Sequence, residues 1–196
     1  MVKVPMAHTV SLEAIKALRE TTSASMNDVR KALEVAAVTC SAPSYGASVC
    51  HCQTKALEEL RARGVEIAKK REGRTTGQGR IETYIHHDGR LAAMVEVNCE
   101  TDFVARTPDF QQFCRDVVMQ VAAMNPRYVK PDEMPAKERE DGAALQASCL
   151  LEQPFVKDQG VTVGDLLQAL IAKTGENVVI RRFTRFAVGD TETQKA

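Results

Sequence analysis

The sequence has no tryptophan and only 5% aromatic residues, so it lacks the ring surface on which proteins stack bases or sugars. It also lacks an excess of either charge. Twenty-six Lys and Arg residues balance 26 Asp and Glu, leaving no overall field to draw nucleic acid or an anionic membrane. Long apolar runs are missing too: Leu91–Val95 and Val117–Met124 fall far short of the roughly 18 residues that a membrane span requires. The opening residues, MVKVPMAHTVSLEAI, carry neither a continuous apolar segment nor a small-residue cleavage site. No secretory signal is therefore expected, and the cytoplasm is the expected compartment. The 6 cysteines, with no export signal beside them, predict free thiols rather than a disulfide framework.

What is present is ordinary for a soluble globular chain. A length of 196 residues with 44% hydrophobic and 27% charged residues allows one or two domains with a self-sufficient core. Leu12, Ile15 and Leu18 recur at helical spacing behind Ser11, a good cap. Thr21 to Ser25 breaks that helix, and Ser25 or Asn27 can cap a second carrying Val29, Ala32 and Leu33. Ala56, Leu57 and Leu60 form the stripe of a third over Thr54–Arg63, with Gly64 as a C-cap or a turn into a further helical stretch, Val65–Arg71. Three short helices of this kind make a small bundle. Ala37–Gln53 between them, rich in Ser, Ala and Cys and broken by Pro43 and Gly46, reads as an inserted loop. The glycines and basic residues up to Arg80 mark a linker.

A different architecture follows. Ile81, Thr83 and Ile85 alternate with Glu82, Tyr84 and His86; His87-Asp88-Gly89 gives a turn; Leu91, Ala93, Val95 and Val97 alternate again, which predicts a β-hairpin. After a loop over Asn98–Arg106, Pro108 opens an amphipathic helix with Phe110, Phe113, Val117, Val121 and Met124, ending before Asn125-Pro126. Residues 127–150 are polar and poorly periodic. Leu166, Leu167, Leu170 and Ile171 define a further helix capped by Gly175, and Val178–Val188 has the β-branched and aromatic content of a third strand. The expected class is α+β, a small antiparallel sheet covered by helices.

Candidate chemistry is thin. Cys40, Cys50, His51 and Cys52 lack the paired spacing that lets ligands converge on a metal, so they read as loop thiols and no metal is expected. His86 and His87 with Cys99 resemble a thiol–imidazole pair but bring no oxyanion loop and no orienting third residue. Gly73, Gly77 and Gly79 do not make a phosphate-binding loop, so no nucleotide cofactor is indicated. Arg61, Arg63, Lys69, Lys70, Arg71, Arg74 and Arg80, with Arg181, Arg182 and Arg185, either touch RNA phosphates or are solvated helix and edge-strand charges. The unusual stretch is Asn98-Cys99-Glu100-Thr101-Asp102-Phe103-Val104, a carboxylate beside a large aromatic between a strand and a helix. It is either a core cap with a satisfied turn or a wedge for a partner.

Three blocks carry a family resemblance: IKALRETTSASMNDVRKAL within Leu12–Leu33, YIHHDGRLAAMVEVNCETDFVARTPDF over Tyr84–Phe110, and LLEQPFVKD with GENVVIRRFTRFAVG near the end. With them the chain resembles elongation factor Ts, the nucleotide exchange factor of elongation factor Tu in translation elongation. The resemblance implies an amino-terminal domain of the ubiquitin-associated type over residues 8–66, holding the insertion 37–53. A basic linker at 67–79, an α+β exchange and dimerisation core at 80–190 and a tail at 191–196 follow. With one core copy, the chain resembles the family's short form, which forms a homodimer. By position, the resemblance places Thr101, Asp102, Phe103 and Val104 on the exchange wedge, which disturbs the groups holding magnesium and phosphate in the partner. It places Arg19, Met26, Asn27 and His86 at further partner contacts. It implies no covalent chemistry, no cofactor, no membrane and no direct nucleic-acid contact, against the alternative of an RNA- or ribosome-associated protein using the basic helix and strand. Ser23 and Ser25 stand where the family has glycines and Asn27 where it has a second methionine. Residues 137–150 replace a longer family stretch.

Overall fold

A computed structural model describes residues 12–22, 26–39 and 48–190. The chain divides into two compact units, Met1–Lys70 and Arg71–Ala196. In the first, the described helices are α1 (Leu12–Thr22), α2 (Met26–Thr39) and α3 (Ser48–Arg71). Ile15 and Leu18 of α1, Val29, Ala32, Leu33 and Ala36 of α2 and Ala56 of α3 form its buried cluster, with Leu57 and Leu60 partly buried against it. The small residues Ala32, Ala36 and Ala56 let the helices approach closely, while the branched ones supply the apolar area.

Three local expectations change here. Gly64 is neither a cap nor a turn: the expected helical stretches on either side of it are one helix, α3, which runs through the buried Gly64 to Arg71. A buried glycine in mid-helix costs about 1 kcal/mol against alanine, which a continuous helix can absorb. Asn27 is not a cap, because α2 already begins at Met26. The stretch expected as a loop is partly helical, since α2 extends to Thr39 and α3 starts at Ser48. Ser11, Ser23, Ser25 and Cys40 lie outside the described residues.

The second unit is built on a three-stranded antiparallel sheet in the order β1 (Gln78–Ile85), β2 (Leu91–Cys99), β5 (Val178–Ala187). Register pairs Arg80 with Val97, Glu82 with Val95 and Tyr84 with Ala93. Cross-strand partners share a face, so the buried residues Ala93, Val95 and Val97 of the central strand carry Arg80, Glu82 and Tyr84 to the covered side. The charge brought inward is neutralised locally: Arg80 Nε lies 2.7 Å from Glu82 Oε2. On the opposite face Ile81, Ile85, Met94 and Phe186 are exposed, Phe186 and Ile85 by 70% each. Gly79 is required by close approach, because a Cβ there would collide with the Val97 carbonyl and lie 2.8 Å from Asn98 Cα. A bulge between Glu96 and Val97 shifts the β2–β5 register by one residue at Arg181.

Helix α5 (Pro108–Met124) covers the sheet with Phe110, Phe113, Cys114, Val117, Val118 and Val121. Thr107 caps its start, Pro108 occupies its first turn and Asn125 closes it in the left-handed region at φ 48°. Residues 127–150, unreadable by periodicity, hold the short helices α6 (Ala136–Arg139) and α7 (Gly142–Ser148). A small hairpin, β3 (Pro154–Phe155) with β4 (Asp158–Thr162), follows, and sequence reasoning missed it. Helix α8 (Val163–Thr174) starts with a reciprocal Thr162–Asp165 capping box and ends at Gly175, φ 71°.

The buried Gln120 joins α5 to this hairpin. Its Nε2 donates to Gln153 Oε1 at 3.2 Å and to the Pro154 carbonyl at 3.1 Å, and its Oε1 accepts from Val156 N at 2.9 Å. Gln153 Nε2 in turn donates to the Ala147 carbonyl at 2.8 Å. Gln120→Leu keeps the volume but strands these buried partners, so urea unfolding is expected to show a loss of about 2–4 kcal/mol. A loss below about 0.5 kcal/mol would contradict this bonding role.

Candidate functional site

The Thr101–Val104 turn leaves the sheet at the end of its central strand. Cys99, the last residue of β2, is buried, and its Sγ donates to the Thr101 carbonyl at 3.1 Å. The expected loop contains one helical turn, α4 (Asp102–Ala105), capped by the Thr101 hydroxyl, which accepts from Val104 N at 3.5 Å. Val104 points inward and is 9% exposed, whereas Phe103 beside it is 80% exposed. Phe103 therefore does not cap the core, and Val104, expected on the wedge, faces the interior instead. Asp102 pairs with Arg106 one turn later at 3.0 Å, an exposed contact that contributes little and is easily exchanged. At the far end Thr107 Oγ1 donates to the Val104 carbonyl at 2.8 Å, tying the turn to the start of α5.

A second segment grips the turn from the side. Glu176 Oε2 accepts from Thr101 N at 3.0 Å and its Oε1 accepts from Thr101 Oγ1 at 2.7 Å. Next to it Glu100 Oε1 accepts from Asn177 N at 2.6 Å, and Asn177 Nδ2 donates to the Arg74 carbonyl at 2.9 Å. Arg74 itself reaches Glu100 Oε2 at 3.5 Å. Sequence reasoning singled out neither Glu176 nor Asn177; it named Arg74 only as one charge of the basic stretch and Glu100 only as part of the Asn98–Val104 stretch. The one signal was Gly175, a helix-ending glycine followed at once by a carboxylate and an amide.

The remaining candidates lie elsewhere. His86 sits at the hairpin turn, its Nδ1 2.9 Å from Tyr84 Oη and its ring 4.2 Å from that of His87. Register puts Ile85 opposite Ala92 at that end and Gln78 opposite Cys99 at the other, so His86 and the Thr101 turn are separated by the length of the sheet, roughly 23 Å. The imagined Cys99–histidine pair is thereby removed. Burial raises the Cys99 thiol, and it pushes Cys114 up to about 12, so Cys114 stays protonated at neutral pH. Arg19, in the last turn of α1, and Met26 and Asn27, in the first turn of α2, are exposed on the amino-terminal unit. Among the described residues no group of His, Cys, Asp or Glu is placed to hold a metal, and no helix is long and apolar enough to cross a membrane. Cys50, His51 and Cys52 fall in the first turns of α3, where only the backbone is described.

Fold and site together define an α+β protein that presents an exposed aromatic on a turn anchored at both ends. The Elongation factor TS family matches residues 13–144. The chain is 43% identical to Elongation factor Ts of Rubrobacter xylanophilus over 202 residues, covering 89% of this chain and 97% of the relative. It is 41% identical to Elongation factor Ts of Solidesulfovibrio magneticus, covering 92% and 98%, and 39% identical to that of Desulfosudis oleivorans, covering 93% and 99%. This chain belongs to the elongation factor Ts family.

The Asn177 N–H held by Glu100 lowers that carboxyl below its ordinary value of 4.5, with Arg74 adding to the effect. A depressed folded pKa stabilises the fold above the ordinary carboxylate range and is lost as pH falls through the folded value. Glu100→Gln is expected to lower the urea midpoint at pH 7 and to narrow its gap to the parent below pH 4.5. A gap independent of pH between 7 and 3 would show that the carboxylate charge does not matter there.

Proposed function

We propose that this protein is the nucleotide exchange factor of elongation factor Tu in translation elongation, acting in the cytoplasm without covalent chemistry or a cofactor of its own. The Asp102-Phe103 turn is the wedge. The observation that carries this reading is the 80% exposure of Phe103 on a turn whose neighbours Thr101 and Val104 are fixed by hydrogen bonds and burial. A large aromatic gains by moving from water into another protein's surface, and a rigid base spares the ordering cost on docking. Phe103 supplies apolar area to the partner, and Asp102 exchanges its loose pair with Arg106 for polar groups around the partner's phosphate and magnesium. A factor that binds the empty GTPase more tightly than the nucleotide-bound form must weaken nucleotide binding by the same ratio.

In this reading Arg19, Met26 and Asn27 contact the partner from an amino-terminal domain of the ubiquitin-associated type, and His86 makes a separate contact from the core. The RNA-binding alternative loses support from the pairing of its arginines: Arg80 with Glu82, Arg182 with Glu96 at 2.6 Å, and Arg185 with Asp190 at 3.0 Å. Such pairs leave fewer cations for phosphate contacts.

Release of labelled GDP from elongation factor Tu, followed by stopped flow, tests the wedge. Phe103→Ala is expected to weaken the complex by about 30- to 1,000-fold, the usual range for truncating a central interface aromatic, and Asp102→Ala to accelerate release less while retaining binding. A folded Asp102→Ala/Phe103→Ala variant that releases GDP as fast as the parent would overturn the assignment.

We further propose a homodimer closed through the uncovered sheet face. Ile85, Ala92 and Phe186 lie in one cross-strand row and Thr83, Met94 and Thr184 in the next, an apolar surface of the kind that packs sheet on sheet about two-fold symmetry. Light scattering is expected to give twice the 21.5 kDa chain mass, and Phe186→Asp to give the monomer. A monomeric parent at micromolar concentration, or a dimer untouched by Phe186→Asp, would count against this interface.

A further inference from the structure

We propose that Glu176 is a positioning residue for exchange, holding the Asp102-Phe103 turn in its working orientation through the Thr101 hydroxyl and amide. This rests on the wedge reading above and adds to it the group that sets the wedge.

A helix of one turn, such as Asp102–Ala105, cannot sustain itself, because fixing its first turn costs more than the few hydrogen bonds inside it return. Its orientation is dictated by what holds its two ends. At the carboxyl end the ties are the Thr107 hydroxyl on the Val104 carbonyl and Gln111 Nε2 on the Arg106 carbonyl at 3.1 Å. At the amino end the cap is a hydroxyl, which has one proton and can rotate. Glu176 removes that freedom. A carboxylate only accepts, so at 2.7 Å the Thr101 hydroxyl must donate to Oε1, which turns its lone pairs toward Val104 N. The same carboxylate takes the Thr101 amide at 3.0 Å, so both groups of the cap residue are referred to one rigid anchor. Glu176 is itself fixed, sitting between the left-handed Gly175 and the first residues of β5.

The turn and the strand pair are held separately. Cys99 pairs with Val178 in the sheet, and Glu100 holds Asn177 N, so the two segments stay joined when Glu176 loses its charge. Glu176→Gln therefore loosens the wedge while leaving the sheet intact: with the amide oxygen accepting from Thr101 N, the NH2 group meets the hydroxyl as a donor, so the hydroxyl proton is no longer held and its lone pairs are shared between that NH2 and Val104 N.

The test is GDP release from elongation factor Tu, measured with the full chain in four forms: parent, Glu176→Gln, Phe103→Ala and the double variant. In the parent background Glu176→Gln should slow factor-driven release about tenfold, the scale of a hydrogen bond to a charged group. In the Phe103→Ala background, where there is no aromatic left to aim, the same change should slow it less than about twofold. Thr101→Val should reproduce the loss and Thr101→Ser should restore most of the rate, which keeps the test decisive if Glu176→Gln lowers the urea midpoint. Equal slowing in both backgrounds would make Glu176 a general structural residue and overturn the proposal. Parent-like release by Glu176→Gln and Thr101→Val, with Phe103→Ala slow, would overturn it while sparing the wedge. Full activity of Phe103→Ala would remove the wedge and the positioning role together.

Discussion

Two carboxylates at the place where β2 and β5 leave the sheet are the constraint on which the placement of the Thr101–Val104 turn depends. Glu100 follows the central strand and reaches the Asn177 amide; Glu176 precedes the third strand and reaches Thr101. The ladder is thus continued past its last strand pair by side chains accepting backbone N–H groups. Bonds to a carboxylate are stronger than neutral ones and shorter, as the 2.6 Å bond from Asn177 N to Glu100 and the 2.7 Å bond from the Thr101 hydroxyl to Glu176 illustrate. Without them, a single helical turn at the edge of the core would be a loop with many conformations. With them, it is an extension of the sheet.

The sheet works as a two-sided platform. Its covered side receives α5 and fixes the strand register, so the end of β2 emerges at one place. Its other side carries Ile81, Ile85, Met94 and Phe186 into solvent. Alternation gives the sheet one covered and one free face, so the residues that build the core and the exposed apolar ones are interleaved along the same few strands. Lys173 Nζ at 2.8 Å from Asp109 Oδ1 links the end of α8 to the start of α5, close in sequence to both ties on the turn.

Much of this was legible in the sequence, and the misses have physical causes. The hairpin, the helix after Pro108, the helix ending at Gly175 and the third strand all carry strong periodicity and punctuation, and all are present. Periodicity alone could not say which side of β1 is covered. Ile81, Thr83 and Ile85 look like a core face, yet the register with Ala93, Val95 and Val97 sends Arg80, Glu82 and Tyr84 inward. Gly64 reads as a cap or a turn between helical stretches because a glycine's cost is local, whereas the packing that carries α3 through it is not. The β3–β4 hairpin is too short for alternation to register and depends on Gln120, some thirty residues earlier. At the site, the Asp102-Phe103 pair stood out by composition. Glu176 did not, because its role depends on a contact across 75 positions that no local pattern announces.

The central claim is that Phe103 enters the partner beside its nucleotide. Photo-crosslinking from a benzoylphenylalanine at position 103 tests it most directly, with the folded factor mixed with nucleotide-free elongation factor Tu. The account predicts a crosslink mapping to the GTPase domain next to the nucleotide site, formed without nucleotide and suppressed by excess GDP. A crosslink mapping elsewhere, or one indifferent to GDP, would contradict it.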